Sequence, residues 1–284
     1  MPAINVNGAE IYYEIHGVGP ETILFSHGLL MSGKMFKAQV DYFKARYRCV
    51  IYDHRGQGRS EVTENGYDMD TLTEDARLLI KELNLGPCHM IGLSMGGFVA
   101  MRLAARHREC LKSLILIETS AEIEPNKLKY NILKSIVGLF GVKSVLNRVM
   151  PIMFGQTILK DPARQAEVDY WRGELLNNEK TITKAVAGVI NRNSVSHELG
   201  NVSVPTLVIA GDEDVATWDA VSVEPEVVEI DTFRRTVLQR VADGIEPITA
   251  ALGALSDSVE ALLLGWELVT IREAREASQD SSSP

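Results

Sequence analysis

Over the first 120 residues the apolar positions fall into two kinds of block that alternate along the chain. "ETILFSHG" (21–28) and "RCVIYDHRG" (48–56) are short apolar runs that end in polar residues and glycine. A parallel strand buried on both faces reads this way, with a loop at its C-terminal end available for function. Between them, "GKMFKAQVDYFKARY" spaces Met35, Phe36, Val40 and Phe43 at helical intervals. "DTLTEDARLLIKELNLG" predicts a further helix with Asp70 as N-cap and Gly86 as its stop. "PCHMIGLSMGGFVAMRLAARH" predicts a strand, a tight turn and a helix, and "LKSLILIE" the next strand. Ahead of all these, "NVNGAEIYYEIHG" alternates about Asn7-Gly8 and predicts a hairpin. The rhythm predicts an α/β fold, a doubly wound and mainly parallel sheet with helices on both faces.

Residues 121–195 break the rhythm. "NKLKYNILKSIVGLFGVKSVLNRVM", "DPARQAEVDYWRGELLN" and "EKTITKAVAGVINRN" are three helical stretches with no strand between them. They predict a helical cap over the sheet's C-terminal edge, in which Met150, Ile152, Met153, Phe154 and Trp171 could line a pocket or merely pack helices. The sheet resumes in 196–217 with "VPTLVIAG", where Pro205 suits a strand start. The expected organisation is therefore a first core part (1–120), the cap (121–195), a returning core strand with an acidic loop (196–217), and an atypical helical tail (218–284).

Charge sharpens that last boundary. Of the net charge of −9, residues 1–217 contribute −1 and residues 218–284 contribute −8. The balance argues against nucleic acid as a partner. No basic, apolar leader opens the chain, and no apolar run is long enough to span a bilayer, so a cytoplasmic protein without a membrane partner is expected. Cys49, Cys88 and Cys110 cannot all pair and have no metal-ligand spacing. Neither a metal nor another cofactor is implied.

The chemistry is carried by "IGLSMGG", which sets Ser94 in a Gly92-Leu-Ser-Met-Gly96 turn between an apolar strand and an apolar helix. In that setting a serine projects its hydroxyl into the cleft from a strained turn. The glycines let the backbone fold closely on itself, and the helix N-terminus offers N–H groups to a developing oxyanion. Met95 would supply one such N–H. Leu29, after the strand that ends in His27-Gly28, would supply the other.

"HGLLMS", "YDHRGQGRS", "GLSMGG" and "PTLVIAGDEDVAT" together resemble the α/β-hydrolase superfamily, near its small bacterial esterases and 3-oxoadipate enol-lactonase-like lactonases. The resemblance covers residues 1–217. It implies hydrolysis of a small-molecule carboxylic ester or lactone through an acyl-enzyme. Ser94 would be the nucleophile and Asp214 the triad acid, with Glu118 as the alternative acid. His54 and Arg55 would be structural members of a loop beside the site. Lid-dependent C–C hydrolases and perhydrolases share the scaffold, so the substrate class stays open.

A triad also needs a histidine to take the serine proton, and in this family it follows the acid. The six histidines, His16, His27, His54, His89, His107 and His197, all precede Asp214, and none matches the expected position. From Trp218 onward the chain has no Lys, Asn, His, Tyr, Met or Cys, although the preceding 217 residues hold 50 of these. Three explanations fit: a frameshift or assembly junction near codon 217, a fused acidic helical segment, or a divergent hydrolase with another base. The expected function is a serine hydrolase impaired by the missing histidine. The alternative is a non-catalytic pseudoenzyme or binding protein on a hydrolase scaffold.

Overall fold

The computed structural model describes residues 2–209. Asp214 and the tail from residue 218 lie outside the described residues. Strands β1 (Ala3–Val6) and β2 (Ala9–His16) make the opening hairpin. It turns at Asn7 (φ 51°) and Gly8 (φ 72°), the left-handed pair that a two-residue connection favours. There follow β3 (Thr22–Ser26), α1 (Lys37–Phe43), β4 (Arg48–Tyr52), α2 (Met69–Glu82), β5 (Cys88–Leu93), α3 (Met95–Arg106) and β6 (Leu111–Ile117). After five helices, β7 (Thr206–Ile209) closes the described part of the sheet. The seven strands run in the order β1-β2-β4-β3-β5-β6-β7. β2 pairs antiparallel with β1 and β4, and every other pairing is parallel.

The strand runs look uniformly apolar because each face has its own cover. Leu24, Val50, Tyr52 and Met90 point to the side of α2 and α3, where they pack with Leu72, Leu79, Val99 and Leu103. Their neighbours Ile23, Phe25, Cys49, Ile51 and Ile91 face the other way, onto Met35, Phe36, Val40 and Phe43. Cys49 and Cys88 are buried within this core, which pushes both thiols up to about 12, so neither is a nucleophile at neutral pH.

Two local expectations change. The N-cap of α2 is Asp68, whose carboxylate accepts from the Thr71 N–H at 2.9 Å and the Thr71 hydroxyl at 2.7 Å. Asp70 is already in the first turn, and its carboxylate takes Arg102 and Arg106 from α3 instead. α2 ends at Glu82, ahead of Gly86.

The helical segment is also more finely divided than its pattern predicts. It comprises α4 (Lys127–Phe140), α5 (Leu146–Met153), α6 (Gln156–Lys160), α7 (Gln165–Leu176) and α8 (Thr183–Ile190). Continuous helical spacing through 126–150 is cut at Gly141, whose φ of 81° and ψ of 170° no helix accommodates.

Candidate active site

Ser94 joins β5 to α3 with φ 49° and ψ −111°, a conformation that costs a non-glycine residue about 1–3 kcal/mol. The surrounding bonds hold it there. Its N–H donates to the Ile117 carbonyl at 2.8 Å. Its own carbonyl accepts from the Gly97 N–H at 2.8 Å, the Phe98 N–H at 3.1 Å and the Thr119 hydroxyl at 2.8 Å. The glycines of the motif are sterically required. A Cβ at Gly92 would lie 2.6 Å from the Gly96 oxygen, and one at Gly97 2.5 Å from Thr119 Oγ1. One at Gly96 would run into the Ser26 carbonyl.

The loop after β3 passes directly beside this turn. A Cβ on Gly28 would sit 2.9 Å from Leu93 Cδ2 and 3.7 Å from Ser94 Cβ. Leu29 follows, and among the described residues no backbone acceptor takes its N–H. The Met95 N–H is the first of α3 and has no intrahelical acceptor. Ser94 lines a cavity of about 240 Å³ together with Gly28, Leu29, Glu118 and the apolar side chains of the helical segment. Ile152, Met153, Phe154 and Trp171 line it as the sequence suggested. Met150 does not: it is buried in the packing between α5 and the sheet side of the core.

Glu118 directly follows β6 with φ 45°, buried, and it faces the same cavity as Ser94. Of the two candidate acids, it is the one within the described residues.

All six histidines are described, and none of them lines the cavity with Ser94. His27 is wholly buried. Its Nδ1 bonds the Gly28 carbonyl at 2.8 Å, so that nitrogen carries the proton, and its Nε2 accepts the His54 N–H at 2.9 Å. His54 Nε2 meets Ser26 Oγ at 3.0 Å. Burial lowers the pKa of both rings; for His54 the neighbouring His27 lowers it further. His16 pairs with Glu14, and His89 bonds Ser113 at the N-terminal half of β5. His107 lies at the far end of α3 beside Glu109, and His197 is exposed beside Glu198. Arg55 makes a buried bidentate pair with Asp75, at 2.9 and 2.7 Å.

The α/β-hydrolase-fold family model matches residues 21–142. A protein from Synechocystis sp. that carries the name of a non-heme chloroperoxidase is 30% identical over 236 residues, 75% of this chain and 83% of that relative. The chain belongs to the α/β-hydrolase superfamily. A non-heme haloperoxidase from Rhodococcus erythropolis is 25% identical over 283 residues, 94% of this α/β hydrolase and 99% of its own length. That alignment extends past Thr217 into the acidic tail. The enol-lactonase crystal structure from Burkholderia xenovorans superposes with a TM-score of 0.70 at 26% identity, covering 76% of this hydrolase and 83% of that chain.

Several residues at the site have no signal in the sequence. Arg192, at the end of α8, reaches Glu124 at 2.9 Å and stacks over Phe98 at 4.4 Å, and all three line the cavity. Gln57 and Asn178 both hold Leu30, beside Leu29. These contacts join segments far apart in the chain, and neither spacing nor composition marks them.

Proposed function

We propose that this α/β hydrolase is built to cleave small carboxylic esters or lactones through an acyl-enzyme on Ser94, and that its turnover is impaired because no histidine serves as base. The observation that carries the proposal is the strained Ser94 turn facing an apolar cavity, with no histidine among the residues that line it. The Ser94 oxygen would attack the acyl carbon, and the Leu29 and Met95 N–H groups would hold the resulting oxyanion. The alkoxide then leaves, and water attacks the acyl-enzyme to release the acid. Each step moves a proton, first from the serine hydroxyl, then to the leaving oxygen, then from water. Asp214, or Glu118 in its place, would orient a histidine that the chain lacks.

Loss of one triad member leaves a residual acceleration of about 10³–10⁴ over water from binding and the oxyanion donors. A low rate is therefore expected rather than none. The missing base also favours a second reading, in which the cavity binds an apolar ester or lactone without turning it over. Three free cysteines accord with a reducing, cytoplasmic setting.

The test is turnover of a short-chain aryl ester by the purified chain beside its Ser94→Ala variant. The impaired enzyme is expected to stay within about tenfold of the variant, because loss of serine and loss of base cost similarly when they act as a unit. Many turnovers that vanish in Ser94→Ala would show that a base is present and would overturn the impairment.

A further inference from the structure

Leu30 adjoins Leu29 and has φ 68°, in the left-handed region that a leucine seldom occupies. Side chains from two distant parts of the chain hold both of its backbone polar groups. Its N–H donates to Gln57 Oε1 at 2.9 Å, and its carbonyl accepts from Asn178 Nδ2 at 2.9 Å. Gln57 is buried in the loop after β4, and its Nε2 also donates to Met95 Sδ at 3.5 Å. One amide thus touches both segments that carry the proposed oxyanion donors. Asn178 lies just beyond α7, and its amide nitrogen also donates to the Leu175 carbonyl at 3.1 Å. Both of its N–H donors are then in use, one on the helical segment and one on the donor loop.

We propose that Gln57 and Asn178 clamp Leu30 from two sides, and that Asn178 is a positioning residue through which the helical segment aims the Leu29 N–H at the oxyanion. This rests on the hydrolase reading of Ser94. Without the Asn178 amide the Leu30 carbonyl loses its partner, and the peptide planes around Leu29–Met31 gain freedom to rotate. A donor turned away from its acceptor weakens steeply, and the loss falls on the tetrahedral state, where the oxyanion forms, more than on a planar ligand.

The test compares the wild type with Asn178→Ala and Asn178→Asp. The control is Asn177→Ala, an exposed neighbour whose amide reaches only Glu174, at 3.5 Å. Two quantities are measured: amide hydrogen exchange in residues 28–33, and affinity for a short alkylboronic acid against the matching planar methyl ketone. The boronic acid adds to the serine oxygen and becomes tetrahedral, while the ketone probes the pocket alone. Both Asn178 variants are expected to exchange about five- to tenfold faster in 28–33 and to lose boronate affinity by a similar factor, as for one lost hydrogen bond. Ketone affinity should hold in both, and Asn177→Ala should match the wild type. Unchanged exchange in Asn178→Ala overturns the clamp, and so does an equal loss of boronate and ketone affinity. If exchange rises but the wild type binds boronate no better than Ser94→Ala does, the hydrolase reading fails, and the catalytic role of Asn178 falls with it.

Discussion

His27 lies closest in sequence to the donor loop, yet its two ring nitrogens are used to hold the Gly28 carbonyl and the His54 N–H. Protonation would turn the Nε2 acceptor into a donor facing another donor, and the buried ring could not shed its charge to water. Burial therefore disfavours the charged form of both His27 and His54 and lowers their pKa values in the folded chain. The consequence for stability follows from proton linkage. Below the unfolded histidine pKa of about 6.5, the unfolded chain binds protons that the native chain refuses, so stability falls as pH drops. The slope that either ring can add is bounded at about 1.4 kcal/mol per pH unit, the limit for one proton. Urea titrations at pH 7.5, 6.5 and 5.5 should show a steepening loss below pH 6.5. A stability that stays level down to pH 5.5 would mean these rings protonate in place. At this scale the strained turn at Ser94 was legible because a local motif encodes it. Gln57 and Asn178 were not, because their function is a contact that only the fold creates.

The β5–turn–α3 unit is the element on which the site depends, and its tightness is readable as glycine spacing. Ala at Gly96 would drive its Cβ into the Ser26 carbonyl, which is backbone and cannot swing aside. The expected cost is about 3 kcal/mol, the upper end for overpacking. Gly173 inside α7 is the contrasting case, since a Cβ there meets nothing within 4 Å. Gly173→Ala should stabilise by about 0.5–1 kcal/mol through the lower entropy of the unfolded chain and better helix propensity. Thermal melts of the two variants should therefore shift in opposite directions, and a matching shift would refute the steric account. Elsewhere periodicity served element type better than element ends. Asp68 and Asp70 are equivalent as cap residues in sequence, and α3's arginines decide between them. The split of 126–150 into α4 and α5 was missed because a single Gly141 interrupts an otherwise continuous apolar stripe.

At the scale of the molecule, strand alternation was enough to give the sheet, since strands buried on both faces leave unmistakable apolar runs. The pairing order and the depth of the cavity under the helical segment were not, because both are properties of segments brought together. The residues beyond Thr217 carry most of the net negative charge and hold no histidine. In the proposed function the Ser94 turn, the Leu29 and Met95 N–H groups and the cavity would work without a histidine base. The most direct measurement is the hydrolysis rate of a short-chain aryl ester at pH 7 with rising imidazole, for the wild type and for Ser94→Ala. Imidazole is small enough for a cavity of about 240 Å³ and supplies the missing proton acceptor. The wild-type rate is expected to start near that of the variant and to climb above it with imidazole, while Ser94→Ala follows only the solution reaction. Fast wild-type turnover without imidazole, abolished in Ser94→Ala, would contradict the proposed impairment.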